Sequence, residues 1–375
     1  MYGTTDGSQF QTNHMTHLPF YVENFEFETN IKMGTKLSYV VPIRGEFLGE
    51  MYFRVVLPSL YEFKELVYKN NAGFRIIKKA QLLLDKVVVQ EFTGEYLKLW
   101  SHVHISTNMK KAYDTMVGTS SSGQNSVELF IQLPWMYTTT MKQFFPLGAL
   151  HNQQVQVDIE FNDLEYVVQN RIKLFGQTKF IQDTKVIGSI INESVVRKKS
   201  KMAAFLDIEY INVDKYEKYK LTHQENDYLI EQVELHKEQA TLDDQKKIQI
   251  SFNFPVKCLY ILAHEPDNPF LFKGVQDVQF YIGSKRVFFR EEVNIKNLRY
   301  LTHFYRGKTI PTEQIYMYSM ALNSTDGQPS GAINFSKIDD FNIIINGCKN
   351  LVIQVYAVGY NVFYTKGGYG SLRFS

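Results

Sequence analysis

Val155-Gln156-Val157-Asp158-Ile159-Glu160-Phe161 alternates apolar and polar residues without a break. Successive side chains of an extended strand point to opposite faces. This stretch therefore puts Val155, Val157, Ile159 and Phe161 on one side and Gln156, Asp158 and Glu160 on the other. A helix would scatter the four apolar residues around its circumference. The reading is a half-buried strand with one face on a core and one in water. The same period recurs on both sides of it. Met51, Phe53, Val55 and Leu57 share a face, as do Val127, Leu129, Ile131 and Leu133. In the second half, Ile248, Ile250, Phe252 and Phe254 repeat the pattern, followed by Leu351, Ile353, Val355 and Ala357. Val278, Phe280 and Ile282 run into Gly283-Ser284 and then Val287 and Phe288, the signature of a hairpin with a tight turn. Helical periodicity is confined to Glu95–His102, Asp214–Leu221 and Glu292–Leu301. Many short strands without alternating long helices predict an all-β fold of sandwiches or barrels, not a parallel α/β sheet.

The chain has 375 residues, of which 44% are hydrophobic and 21% charged, with a formal net charge of +2. This composition supports a buried core, and its near-neutral balance leaves no electrostatic footprint for specific nucleic-acid binding. Single cores stop growing near ~250–300 residues, so two domains are expected. The 28 Phe and 24 Tyr suit pleated surfaces and broad interfaces. The polar, aperiodic residues 1–20 read as an arm and 21–196 as a first domain. The basic run Arg197-Lys198-Lys199-Ser200-Lys201 interrupts the apolar pattern and reads as a linker, 197–201, leaving 202–375 as the second domain. Cys258 and Cys348 read as buried, unpaired small hydrophobes in a protein made in a reducing compartment. Residues 1–34 lack the apolar run of a secretory leader, and no stretch approaches the ~20 apolar residues of a spanning helix, so synthesis inside a cell is expected.

Motifs that carry chemistry are incomplete. Tyr305-Arg306-Gly307-Lys308-Thr309 resembles the end of a phosphate-binding loop, but position 302, where its first glycine belongs, is Thr302. Gly367-Gly368-Tyr369-Gly370 has no helix after it whose N-terminus would hold a phosphate. His102 and His104 would share a face in an extended stretch, but no Cys or carboxylate stands beside them at ligand spacing. No Ser lies in a Gly-x-Ser-x-Gly elbow. Asp243-Asp244 and Asp339-Asp340 sit among turn formers and read as solvated; Asn192, Asn323 and Asn334 open Asn-x-Ser/Thr sequons expected to stay unmodified. No catalytic residue, metal or cofactor is assigned.

Several segments instead resemble the double jelly-roll major capsid protein of nucleocytoplasmic large DNA viruses and related smaller double-stranded DNA viruses. In the first half these are Arg44-Gly45-Glu46-Phe47-Leu48-Gly49-Glu50-Met51-Tyr52 running on to Pro58, Gly94–Trp100, Leu129–Pro134-Trp135, and Phe145-Pro146-Leu147-Gly148-Ala149-Leu150. In the second half they are Tyr228–Gln232, Phe252–Lys257, Tyr318–Leu322, Gln328-Pro329-Ser330-Gly331, Asn334-Phe335-Ser336-Lys337-Ile338-Asp339 and Tyr356–Asn361. The motifs keep the family's order from about Lys36 onward. In that family, stretches similar to the first segment link the first two strands, and stretches similar to Leu129–Phe161 close the first roll. The resemblance implies two tandem eight-stranded jelly rolls with short helices in loops. It also implies a homotrimer with a pseudo-hexagonal outline that tiles an icosahedral shell. Implied partners are neighbouring capsomers, minor capsid and penton proteins, and an internal membrane reached by the arm. Relative to many members the chain is short, so brief outward loops are expected, and Leu84-Asp85-Lys86-Val87 lacks the glycine that relatives often place in that hairpin. The competing readings are a receptor- or carbohydrate-binding β-sandwich such as a fibre or spike, and a cupin-like enzyme. The latter needs a His/Glu metal cluster that the strands do not supply.

Overall fold

The alternating stretches form strands, except that the one containing Ile248 and Ile250 ends at Ile250 and leaves Phe252 and Phe254 in the connection to the next strand. In the computed structural model, which describes residues 19–61, 65–119, 125–137, 143–174, 177–181, 201–287 and 294–374, sixteen of them build two barrels. The first roll comprises β1 (Phe20–Lys32), β2 (Lys36–Val40), β3 (Phe47–Leu57), β4 (Ile77–Leu84), β5 (Val87–Thr93), β6 (Val127–Gln132), β7 (Val155–Phe161) and β8 (Lys201–Val213). They pair as two antiparallel sheets, β1-β8-β3-β6 and β2-β7-β4-β5. The second roll comprises β9 (Asn226–Glu238), β10 (Gln245–Ile250), β11 (Pro255–Glu265), β12 (Asp277–Ile282), β13 (Lys285–Arg286), β14 (Tyr316–Ser319), β15 (Phe341–Asn346) and β16 (Val352–Lys366). Its sheets run β9-β16-β11-β14 and β10-β15-β12-β13, the same order advanced by eight strands. Two copies of one eight-stranded topology make this a double jelly roll. The Val155–Phe161 stretch is β7, with Val155, Val157, Ile159 and Phe161 in the core.

Four sequence expectations need correction. The second domain does not begin at residue 202, because Lys201–Val213 pairs along its length with β1 and β3 and closes the first roll. Its alternating residues Met202, Ala204, Leu206, Ile208 and Tyr210 enter the first core, so the division falls near Asp214, at the N-cap of a helix. Leu129–Phe161 therefore does not close that roll, and Arg44-Gly45 lies between the second and third strands, not the first two. The connections are not all brief, since residues 162–200 join β7 to β8. Part of that connection, Val168–Leu174 with Gln177–Ile181, forms a separate three-stranded sheet with Leu66–Tyr68. The arm up to residue 18, the basic run 197–200 and Asn192 lie outside the described residues, while Phe20 already begins β1.

Among the described residues, the four longest helical segments in the loops are α1 (Gly94–His104), α2 (Thr107–Met116), α3 (Lys215–His223) and α4 (residues 294–306, with a π turn at Asn297–Leu301). Three were expected from the sequence. α2 was not, because its face is polar and buries only Tyr113. Both cysteines are buried and unpaired.

Candidate functional site

The seam between the rolls is built from α1. Thr93 caps it, its hydroxyl accepting from the Tyr96 amide at 3.4 Å, with Glu95 in the first turn. The helix lies on the outer face of β9-β16-β11-β14. That face is apolar as well as the inner one, so β11 and β16 are buried on both sides. Ile353, Val355 and Ala357 of β16 point into the second core, whereas Tyr356 and Val358 join the core of the first roll; Leu259 and Ile261 of β11 divide in the same way from Tyr260 and Leu262. The sequence reading gave this strand one wet face, and the wet face is the seam. The Tyr96 and Tyr356 rings meet at 5.5 Å and those of Phe145 and Phe363 at 5.2 Å.

Two buried cations cross the seam. Lys98 is 2% exposed; its ammonium donates to a Glu313 carboxylate oxygen at 2.6 Å and to the Phe270 carbonyl, over the Phe272 ring. Burial pushes its pKa down, and Glu313 opposes that. Arg75 donates to the Asn70 carbonyl and to Asn268 Oδ1, both at 2.9 Å, and stacks over Phe270; burial lowers it to about 10. The tail supplies a clasp. Asn152 donates its backbone N–H to the Gly368 carbonyl and its side-chain amide to the Gly367 carbonyl, both at 3.1 Å. Gly368 has φ 88°, and a Cβ there would stand 2.5 Å from the Asn152 amide nitrogen. The Gly-rich tail therefore serves close approach between the rolls.

The residues that carry the resemblance fall in strands and turns. The Arg44 guanidinium stacks 3.9 Å over Phe25, and Gly45 packs against the Ile211 carbonyl. Met51 accepts the Trp135 indole N–H at its sulfur, 3.2 Å away, while Tyr52 on the same strand faces outward. The Pro58 carbonyl accepts from the Tyr68 hydroxyl at 2.7 Å; Trp100 stacks on His104; Pro134 and Pro146 are buried. In the second roll the Gln328 carbonyl accepts from Tyr360, Pro329 precedes the turn, and the Ser330 hydroxyl bridges Asn323. Gly331, at φ 141°, sits where a Cβ would lie 2.8 Å from the Met320 carbonyl oxygen. Asn334 Oδ1 accepts from the amide and hydroxyl of Ser336, Phe335 is buried, Ile338 donates to the Phe335 carbonyl, and Asp339 is exposed. These residues form loops and ladders and do not converge on a pocket.

The outer face of β1-β8-β3-β6 differs from the seam. Its outward positions carry Glu26, Glu50, Glu128, Asp207 and Glu209 around a single arginine, Arg54. Arg54 pairs with Glu26, with Glu128 at 3.0 Å and with Asp207 at 3.2 Å, and lies 3.9 Å over Phe205. A hollow of about 550 Å³ opens here between Phe25, Tyr52, Arg54 and Phe130. Burial, together with Glu209, raises the Glu50 carboxyl above its usual range against the Gln132 bond that lowers it. This acidic face was not singled out in the sequence, although its residues occupy the polar positions of four alternating strands.

Among the described residues, no group of three or more His, Cys, Asp or Glu could hold a metal. His102 and His104 stand on α1, where residues two apart diverge. His102 turns to Glu313 at 3.7 Å and His104 to Trp100. The Gly307 amide closes its own helix on the His303 carbonyl, and the Thr309 hydroxyl donates to the His102 carbonyl across the seam, so this segment forms no phosphate cradle. No helix among the described residues is long and apolar enough to cross a membrane.

Two jelly rolls with one strand order, joined by a buried seam, define the double jelly-roll class of β proteins. The comparisons place it within that class. The major capsid protein N-terminus model matches residues 8–214, more than half of the chain, and the large eukaryotic DNA virus major capsid protein model matches 297–371. The major capsid protein of Pyramimonas orientalis virus is 22% identical over 98% of this chain and 93% of its own length. Among solved structures, VP54 of PBCV-1 superposes with a TM-score of 0.80 at 16% identity, covering 98% of this chain and all of its own. The Faustovirus major capsid protein superposes at 0.69 with 9% identity, over 96% and 93%. The chain belongs to the major capsid protein family of large eukaryotic DNA viruses.

Proposed function

We propose that this chain is the main building block of an icosahedral double-stranded DNA virus shell, acting as a homotrimer whose six rolls give a pseudo-hexagonal capsomer. The repeated strand order carries this reading: two similar, unequal rolls per chain let three chains mimic a six-sided ring while keeping threefold symmetry. Closed cyclic symmetry limits growth and leaves lateral faces free for neighbouring capsomers. Barrel closure leaves few edges to pair with a wrong chain. Binding energy comes from broad surfaces of about 2,000–5,000 Å² rather than from a pocket. Minor capsid and penton proteins at the rim, and an internal membrane met by residues 1–20, complete the proposed partners.

Light scattering should give a mass near three chains, and single-particle class averages should show six lobes with threefold symmetry. A stable monomer, a dimer or a three-lobed trimer would overturn the capsomer reading. Duplex DNA should shift in a gel only weakly and be released as salt rises. Tight binding at physiological salt would contradict a purely shell-forming role.

A further inference from the structure

Each roll carries helices at the same point of its topology, after its fifth strand: α1 and α2 follow β5, and α4 follows β13. Within the chain, α1 covers the outer face of β9-β16-β11-β14 through Tyr96, Lys98 and their partners. α4 turns Leu298 and His303 inward and presents Tyr300, Leu301, Phe304 and Tyr305 to solvent; Phe304 is 65% and Tyr305 70% exposed. Spacings of one, three and one residues place those four side chains on one helical face. On the equivalent outer face of β1-β8-β3-β6, α2 meets only the edge at Tyr52 and Gln132, and no helix among the described residues lies over the acidic centre around Arg54.

We infer that α4 of one copy packs on the outer face of β1-β8-β3-β6 of the next, repeating between chains the contact that α1 makes within one. The inference rests on the trimer reading and names its interface. Charge favours the pairing: the sheet face carries five carboxylates around Arg54, and the helix segment brings Lys296, Arg306 and Lys308. Shape favours it too, because the hollow beside Tyr52 and Phe130, with Arg54 at its wall, is large enough for an aromatic ring. The exposed apolar start of β1, Phe20-Tyr21-Val22, extends the same surface. The contact is heterologous, helix to sheet, so it closes only as a ring. Six rolls close when each step turns about one sixth of a revolution.

The test uses the full chain in two variants, each checked for folding by circular dichroism and thermal melting. One carries Phe304→Glu with Tyr305→Glu on the helix; the other carries Glu26→Lys with Asp207→Lys on the sheet. Each alone should sediment as a monomer at concentrations where the unmodified chain is a trimer. Mixed, they retain one good helix and one good sheet face between them, so they should form a one-to-one dimer and nothing larger. Trimers surviving in both folded variants would overturn this interface while leaving the capsomer reading intact. An unmodified chain that is not trimeric would overturn both. If either variant fails to fold, Phe304→Ala with Tyr305→Ala should still weaken trimer association at least tenfold, and unchanged association would reject the inference.

Discussion

Asp85 and Lys86 form the two-residue turn between β4 and β5 with φ of 47° and 71°, both left-handed and neither of them glycine. A turn with two positive φ angles matches the twist of the strands it joins, which is why glycine is frequent there. Asp85 is held in place by its amide donating to the Gln154 carbonyl at 3.0 Å and its carboxylate accepting from the Gln154 amide at 2.9 Å. Lys86 has no comparable anchor among the bonds described, so Lys86→Gly should stabilise the chain by up to about 1 kcal/mol, read as a higher urea midpoint. A lower midpoint would show that the lysine side chain contributes to the turn. Lys98 behaves oppositely. Lys98→Ala removes a buried cation from Glu313 and the Phe270 carbonyl and should cost about 3 kcal/mol, whereas Lys98→Met, which keeps the stem's packing, should cost less. Equal losses for the two variants would mean that the charge pairing, not the packing of the stem, holds the seam there.

At the scale of elements, legibility followed locality. β7 was plain because its alternation is complete within seven residues and one of its faces is wet. β8 was equally regular, yet it was assigned to the wrong roll. Its partner β1 lies nearly the whole first domain earlier in the chain, and periodicity says which face is buried but not against what. β16 is buried on both faces over ten residues, so only half of its role could be seen before the seam was known. The seam cations Arg75 and Lys98 were invisible for the same reason, since a lysine in a short amphipathic helix ordinarily faces water. Two histidines on this layer give a pH test. Burial, with Lys110 and Lys98 nearby, pushes His102 down to about 3; burial pushes His303 down to about 4 against the bond it donates to the Ile315 carbonyl. The unfolded chain takes up these protons near pH 6.5, and the folded chain resists until about pH 3–4. Their contribution is therefore complete above 6.5 and is lost as pH falls, by about 1.4 kcal/mol per unit for each histidine. Urea midpoints should drop between pH 7 and pH 5, and His303→Gln should flatten the drop. A flat profile in the unmodified chain would refute the assignment.

For the whole molecule, the question is whether two rolls mean two folding units. Separate barrels with their own cores would be expected to melt separately. Here the first roll's hydrophobic cluster runs without interruption from Phe53 and Leu206 through Tyr96 and Trp100 to Tyr260, Leu262, Met317 and Tyr356 of the second. Parting the rolls would expose both faces of that layer, at about 1.5–3 kcal/mol for each large side chain fully uncovered. It would also strand Lys98 and Arg75 without their partners. An interface this apolar couples domains, whereas looser polar ones let them move and unfold independently. The monomeric helix variant, Phe304→Glu with Tyr305→Glu, should therefore melt in one calorimetric transition with equal calorimetric and van't Hoff enthalpies. Tyr356→Ala, which removes the ring facing Tyr96, should cost about 3–5 kcal/mol and broaden or split the transition. Two well-separated transitions in the parent monomer would show that each roll is stable alone and that the seam only tethers them.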